Sequence, residues 1–293
     1  MNRRSFLGAA ALASTPVPAR PKPHSYHLRY APRIGWLRHL PVERQLEIYA
    51  EWRFRAFEYN GLARRHSMAE IEKIRKKRDE LGMAMGVFVV NSGGWKGDAL
   101  VDKKFHEGFL ADVRKAMEVH RVMENEAATV TSGLAVDYLS REEQTKNCVE
   151  ALKRAAEIVE DGAMTLVLEP LNVRVDHAGY FVVYSSHAHE IVSAVNHPRV
   201  RILFDIYHQQ ISEGNLIHNI GKYWDWIGYF QAGDVPGRKE PYTGEINFRN
   251  VFRAIHERGY RGMIGMEHGL SEPGMEGVKK CFEAYRKADA WDG

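Results

Sequence analysis

The chain has 293 residues, 44% of them hydrophobic and 27% charged, with 41 Lys and Arg against 38 Asp and Glu for a formal net charge of +3. This composition excludes a disordered chain, a collagen-like repeat and a disulfide-stapled miniprotein, and its balance of charge does not suggest a nucleic-acid binder. The two cysteines, Cys148 and Cys281, form no Cys-x-x-Cys pair; they are compatible with one disulfide and with no zinc ribbon or redox motif.

The chain opens Met1-Asn2-Arg3-Arg4-Ser5-Phe6-Leu7, followed by an apolar run to Ala13 and a Ser/Thr/Pro stretch. A basic start, a short apolar segment and small residues near Ala19 read as a secretory signal, and the paired arginines give it twin-arginine character. The apolar run is far too short to span a bilayer. Residues 1–25 are therefore expected to be signal and Pro-rich linker, with cleavage after Ala19, and residues 26–293 the mature domain. The expected location is the periplasm, with no membrane segment in the mature form. The alternative is an uncleaved tail on a cytoplasmic protein. Loss of residues 1–19 removes Arg3 and Arg4 and lowers the charge from +3 to +1.

Strand-like runs follow at Arg33–Trp36, Ala56–Tyr59, Ala84–Val90, Ala127–Thr131, Thr165–Leu168, Arg201–Asp205, Ile227–Gln231 and Gly262–Glu267. Amphipathic helical patterns lie between them, at Val42–Trp52, Met68–Leu81, Lys103–Met123, Arg141–Asp161, Ser186–Val195 and Asn250–Arg258. The Lys/Arg run at 75–78 reads as the solvated face of the second of these helices. Eight alternating units of about 33 residues each predict an α/β fold, a single (β/α)8 TIM barrel. A doubly wound open sheet is the rival, but no Gly-rich nucleotide turn occurs.

Function in a barrel gathers at the C-terminal ends of the strands. Four successive ends carry an oxygen-donor residue: Glu169 in Leu166-Val167-Leu168-Glu169-Pro170-Leu171-Asn172, Asp205 before Ile206-Tyr207-His208, Gln231 before Ala232-Gly233-Asp234, and Glu267 before His268. A buried carboxylate is costly unless paired or coordinated. Three carboxylates and an amide oxygen make a hard-oxygen set that suits one Mg²⁺ or Mn²⁺. A lone acid of this kind would more simply cap a helix; four in register favour a metal site.

These segments resemble the xylose-isomerase-like TIM-barrel superfamily, and within it most closely the hydroxypyruvate isomerase family. The resemblance rests on L-E-P-L-N (168–172), F-D-I-Y-H-Q-Q (204–210), the long F-Q-A-G-D-V-P-G-R-K-E-P-Y-T-G-E-I-N-F (230–248), G-M-E (265–267) and N-S-G-G-W-K-G (91–97). It implies a divalent metal held by Glu169, Asp205, Gln231 and Glu267, with Glu169 and Glu267 as the proton-transfer pair. The implied reaction interconverts the carbonyl and hydroxyl carbons of a small hydroxy-carbonyl compound, of the hydroxypyruvate/tartronate-semialdehyde or aldose–ketose kind. The resemblance also implies that His208 contacts a substrate oxygen. Arg238 either forks onto a substrate carboxylate or phosphate or pairs with Glu240 or Glu245. Trp95 either covers the substrate or packs at the barrel mouth. Glu245 reads as loop architecture and Glu58 as a supporting acid. The segment Arg33–His39 departs from the family pattern, which leaves the substrate open.

Three other functions share these features. A ketose C3-epimerase would use the same glutamates but usually shows His where Gln231 stands. An apurinic-site endonuclease needs further histidines where Glu58, Asn91 and Gln231 stand. A noncatalytic exported sugar-binding barrel is the remaining reading; retention of all four donors argues against such decay without proving turnover. The expected partner is a small carbonyl compound or sugar, not a nucleic acid. Assembly into a homo-oligomer is compatible with the sequence but not specified by it.

Overall fold

A computed structural model describes residues 25–91, 93–97, 100–160 and 162–291. Most of the expected signal and linker, residues 1–24, lies outside the described residues, as does Ser92 of the 91–97 motif. The strands are β1 (Arg29–Pro32), β2 (Ala56–Phe57), β3 (Ala84–Met85), β4 (Ala127–Val130), β5 (Thr165–Leu168), β6 (Val200–Asp205), β7 (Ile227–Gln231) and β8 (Met263–Met266). The helices are α1 (Val42–Glu51), α2 (Leu62–Arg65), α3 (Met68–Glu80), α4 (His106–Met123), α5 (Arg141–Val159), α6 (Ser185–Val195), α7 (Ile206–Ser212), α8 (Leu216–Lys222), α9 (Phe248–Glu257) and α10 (Gly274–Ala288).

All strand pairs are parallel. Six strands form one sheet in the order β1-β8-β7-β6-β5-β4, and β2 pairs with β3. Two short bridges join these sheets into a ring, Arg33 with Glu58 and Val89 with Thr129. Backbone hydrogen bonds carry both junctions, including Ile34 N to Glu58 O (2.8 Å) and Thr129 N to Phe88 O (2.8 Å). The first strand therefore lies four residues earlier than the sequence suggested. Leu28 and Tyr30 pack into the outer core while Ala31 packs inward, and Trp36 belongs to the loop beyond the strand.

One residue from each strand unit fills the barrel interior: Ala31, Ala56, Val87, Ala127, Val167, Leu203, Tyr229 and Met263. Side chains alternate faces along a strand, so the residue two positions on also faces inward, nearer the C-terminal mouth. That rule carries Ala31 to Arg33, Ala56 to Glu58, Val167 to Glu169, Leu203 to Asp205 and Tyr229 to Gln231. On β8 it carries Met263 to Gly265 and then to Glu267.

Capping boxes start α3 (Ser67 with Glu70) and α5 (Ser140 with Glu143). The 75–78 run is mostly the solvated face expected: Arg75 pairs with Glu72 and Asp79, and Lys77 with Glu80 and Glu47. Arg78 departs from it. It is buried and donates to the carbonyl of Met123 at the end of α4. Cys148 and Cys281 are buried free thiols in α5 and α10, so the disulfide left open by the sequence is not formed. Among the described residues no helix is long and apolar enough to cross a membrane.

His187, in α6, contacts the Thr145 hydroxyl at 3.0 Å in a buried setting. Burial, helped by Arg141, pushes its pKa down to about 4. The unfolded ring titrates near 6.5, so the unfolded state takes up the proton first as pH falls. Stability is thus full above about 6.5 and declines toward 4. Urea titrations at pH 7 and 5.5 should show a loss of about 1 kcal/mol from this residue, and His187→Gln should weaken that pH dependence.

Candidate active site at the barrel mouth

The mouth is built from strand ends that the closed ring forces together. Asp205, the last residue of β6, is fully buried, and its Oδ1 accepts from the Tyr207 amide at 2.8 Å as α7 begins. Glu169, one residue past β5, is buried, and no hydrogen bond reaches its carboxylate among the described residues. Burial, with Glu267 and Asp205 nearby, pushes the Glu169 carboxyl well above the usual range. Asp205 is pushed up to about 6, burial outweighing the opposing pull of Arg238. Glu267 keeps some exposure; its Oε1 accepts from Asn60 Nδ2 at 2.5 Å and its Oε2 from Arg238 Nη2 at 2.8 Å.

Gln231 is also buried. Its Nε2 donates to Glu58 Oε1 at 3.0 Å, while its Oε1 is buried with no hydrogen-bond partner among the described residues. Glu58 also accepts from the Tyr229 hydroxyl at 3.2 Å, and burial together with Glu267 pushes its carboxyl up to about 8. Glu58 is therefore the supporting acid that the sequence suggested: it fixes which end of the Gln231 amide faces the mouth. Gly265 permits this, because a Cβ there would overlap Glu58 Oε2.

Arg238 pairs with neither Glu240 nor Glu245, the intraloop partners the sequence offered. Its Nη2 reaches Asp205 Oδ2 and Glu267 Oε2, both at 2.8 Å, and its Nε donates to the Glu267 carbonyl at 3.0 Å. The guanidinium lies 4.7 Å from the centre of the Tyr207 ring. Buried Asp234 folds the loop that carries Arg238, accepting from the amides of Val235, Gly244 and Ile246. Glu240 instead anchors the backbone amide of Ser271. Glu245 is a loop residue, as expected, its side chain accepting from Gln210.

His208 sits in the first turn of the short helix α7. Its Nδ1 accepts from the Asn172 backbone amide (3.3 Å) and contacts Asn172 Nδ2 (2.8 Å). A backbone N–H only donates, so the neutral ring carries its proton on Nε2, which stands 3.5 Å from Asp205 Oδ2. Burial, then Arg238 and His177, keeps the ring well below its usual pKa and hence neutral. Glu169, Asp205 and His208 can each bring one ligand atom within 4.8 Å of the others, a cluster able to hold a metal ion. The Nε2–H tautomer suits His208 better to donating a hydrogen bond than to ligation.

The donor chemistry fits a hard divalent cation: carboxylates raised first by burial and then by neighbouring acids, and a buried amide oxygen with no partner among the described residues. Trp95 is 38% exposed on the rim, edge-on to His177 at 5.8 Å, which in turn lies 5.2 Å from His208. Asn91 does not act in the mouth, since both ends of its amide bind the backbone of Thr131. Asn60, Asn172 and Tyr207 took no role in the sequence reading. Asn172 and Tyr207 lie within its motifs, but only side-chain contacts reveal what any of the three does.

The xylose isomerase-like TIM barrel family model matches residues 46–288. A protein of Cupriavidus necator named 2-oxo-tetronate isomerase is 30% identical over 207 residues, 69% of this chain and 78% of that protein. Hydroxypyruvate isomerase of Escherichia coli K12 is 31% identical over 167 residues, 57% of this chain and 63% of that protein. The chain spans about half the length of several other curated relatives that it matches. Among solved structures, an "AP endonuclease, family 2" from Brucella melitensis superposes with a TM-score of 0.78 at 25% identity, covering 86% of this chain and 96% of that one.

The support beneath Gln231 is testable. Gly265→Ala forces Glu58 off the Gln231 amide and should lower unfolding free energy by about 1–3 kcal/mol in urea titration, the usual cost of overpacking. An unchanged midpoint would mean that this contact is slack.

Proposed function

We propose, for a chain that belongs to the xylose isomerase-like TIM barrel family, a divalent-metal-dependent isomerase of small hydroxy-carbonyl compounds. The reading is carried by Glu169, Asp205, Gln231 and Glu267 at the ends of neighbouring strands, with the Gln231 oxygen free of any donor among the described residues. Those four residues would hold one Mg²⁺ or Mn²⁺. When bound, the ion supplies Lewis-acid stabilisation of negative charge developing on the substrate's two oxygens.

The chain's own residues do the proton work. One of Glu169 and Glu267 takes a proton from the hydroxyl-bearing carbon and the other returns one to the former carbonyl carbon, while the hydroxyl proton passes to the former carbonyl oxygen. Asn60 and Arg238 orient Glu267 for this from two sides. His208, locked with its proton on Nε2 by Asn172, donates to the oxygen on which charge accumulates. The Asp234-pinned loop keeps Arg238 beside that oxygen. Trp95 and His177 narrow the entrance and limit water. Relatives named hydroxypyruvate isomerase and 2-oxo-tetronate isomerase support this reaction type, and an amide at position 231 favours isomerisation over C3-epimerisation. Export through the twin-arginine route is proposed on Arg3-Arg4 and the segment that follows them.

Elemental analysis of purified protein should find about one Mg²⁺ or Mn²⁺ per chain, and Mn²⁺ should raise the melting temperature. Absence of both effects overturns the metal reading. In D₂O, wild type should exchange the proton beside the carbonyl of its substrate, while Glu169→Gln and Glu267→Gln should each lose it by about 10³-fold or more with the fold intact. Exchange at a wild-type rate in both variants overturns the acid–base pair. N-terminal sequencing of periplasmic protein is expected to begin after Ala19.

A further inference from the structure

We propose that Arg33 reads a carboxylate on the substrate, so that the mouth selects a hydroxy-keto acid anion over a neutral ketose. This deepens the isomerase reading and rests on it. Arg33 follows β1 and bridges Glu58 in a parallel pair, with Ile34 N to Glu58 O at 2.8 Å and Glu58 N to Pro32 O at 3.0 Å. Residues paired this way share a face of the sheet. Glu58 faces inward, where it meets Gln231 and Tyr229. Alternation gives the same answer, because Ala31 lies in the interior layer and Tyr30 and Ile34 in the outer core. The β1–β8 register pairs Pro32 with Met266, which sets Arg33 beside Glu267.

Arg33 is half-buried there, and its guanidinium has no hydrogen-bond or ion-pair partner among the described residues. Its field nonetheless reaches the Glu58 carboxyl, opposing part of the rise that burial and Glu267 cause. On the other strands the same two-residue step reaches acids, an amide, a hydroxyl, Val89 and Gly265, and no cation. Arg238 is already shared between Asp205 and Glu267, and Arg64 lies out on the rim over Trp95. A half-desolvated guanidinium with unused donors, one strand away from a proposed proton-transfer glutamate, is placed to fork onto a carboxylate adjoining the reacting carbons. A neutral hydroxymethyl group there would leave its charge unpaired.

Hydroxypyruvate and dihydroxyacetone differ only in carboxylate against hydroxymethyl, so they isolate this contact. On Mn²⁺-loaded protein, wild type should favour hydroxypyruvate in kcat/KM for deuterium exchange by about 100-fold. Arg33→Gln should collapse that ratio, losing about 10- to 100-fold on hydroxypyruvate mainly through KM, and Arg33→Lys should keep part of it. A ratio unchanged in Arg33→Gln overturns the proposal. If wild type exchanges neither compound, the isomerase reading fails, and Arg33 is judged by calorimetric titration with glycerate. At least 10-fold weaker glycerate binding in Arg33→Gln supports the anion contact. Equal affinity, or no binding to wild type, overturns it.

Discussion

Three carboxylates, Glu169, Asp205 and Glu267, are crowded at one mouth, and a single guanidinium, that of Arg238, pairs with two of them. Carboxylates held this close and this dry repel one another, which is why burial and neighbours push Glu169 and Asp205 upward. Much of the surrounding structure answers to that repulsion. The Asp234 latch keeps Arg238 turned back into the site. Asn60 and Asn172 supply donors without adding charge. Gln231 offers an oxygen where another acid, beside Glu58, would worsen the crowding. A bound divalent cation would relieve the same strain, which is the physical sense of a hard-oxygen site.

The crowd is held in register by a rigid base. The interior layer is one side chain deep on each strand, with Ala on β1, β2 and β4 making room for Tyr229 and Met263. Tyr229 carries the network upward: its hydroxyl meets Glu58, Glu58 holds the Gln231 amide, and Gly265 stays small so that Glu58 fits. A change in any of these would misplace a donor without touching a substrate.

Much of this was legible in the chain. The β5 and β7 strands begin and end where the apolar runs do, because strands buried on both faces read as continuous hydrophobic stretches. Glu169, Asp205, Gln231 and Glu267 were visible as polar residues ending such runs. The first strand was misplaced because Arg29, exposed at its start, hides the alternation of Leu28, Tyr30 and Ala31. Arg33 then passed for part of that strand, although the same two-residue step that finds Glu58 and Glu169 finds it. The partners of Arg238 were misjudged because both acids it binds are distant in sequence, 29 and 33 residues away. The nearer acids in its own loop are turned to other work.

Periodicity and the residues at strand ends, which are local properties, sufficed to predict from sequence alone an eight-unit barrel with four oxygen-bearing side chains at its mouth. Tertiary structure decided the orientation and protonation of those donors: which end of the Gln231 amide faces the mouth, which nitrogen of His208 carries the proton, which acids hold Arg238 and which arginine stays unpaired. The first three depend on side-chain contacts between residues 29 to 173 positions apart in the chain. Closure of the ring brings Glu58 to Gln231, whereas the Asn172–His208 and Arg238 contacts join neighbouring strand units of one sheet.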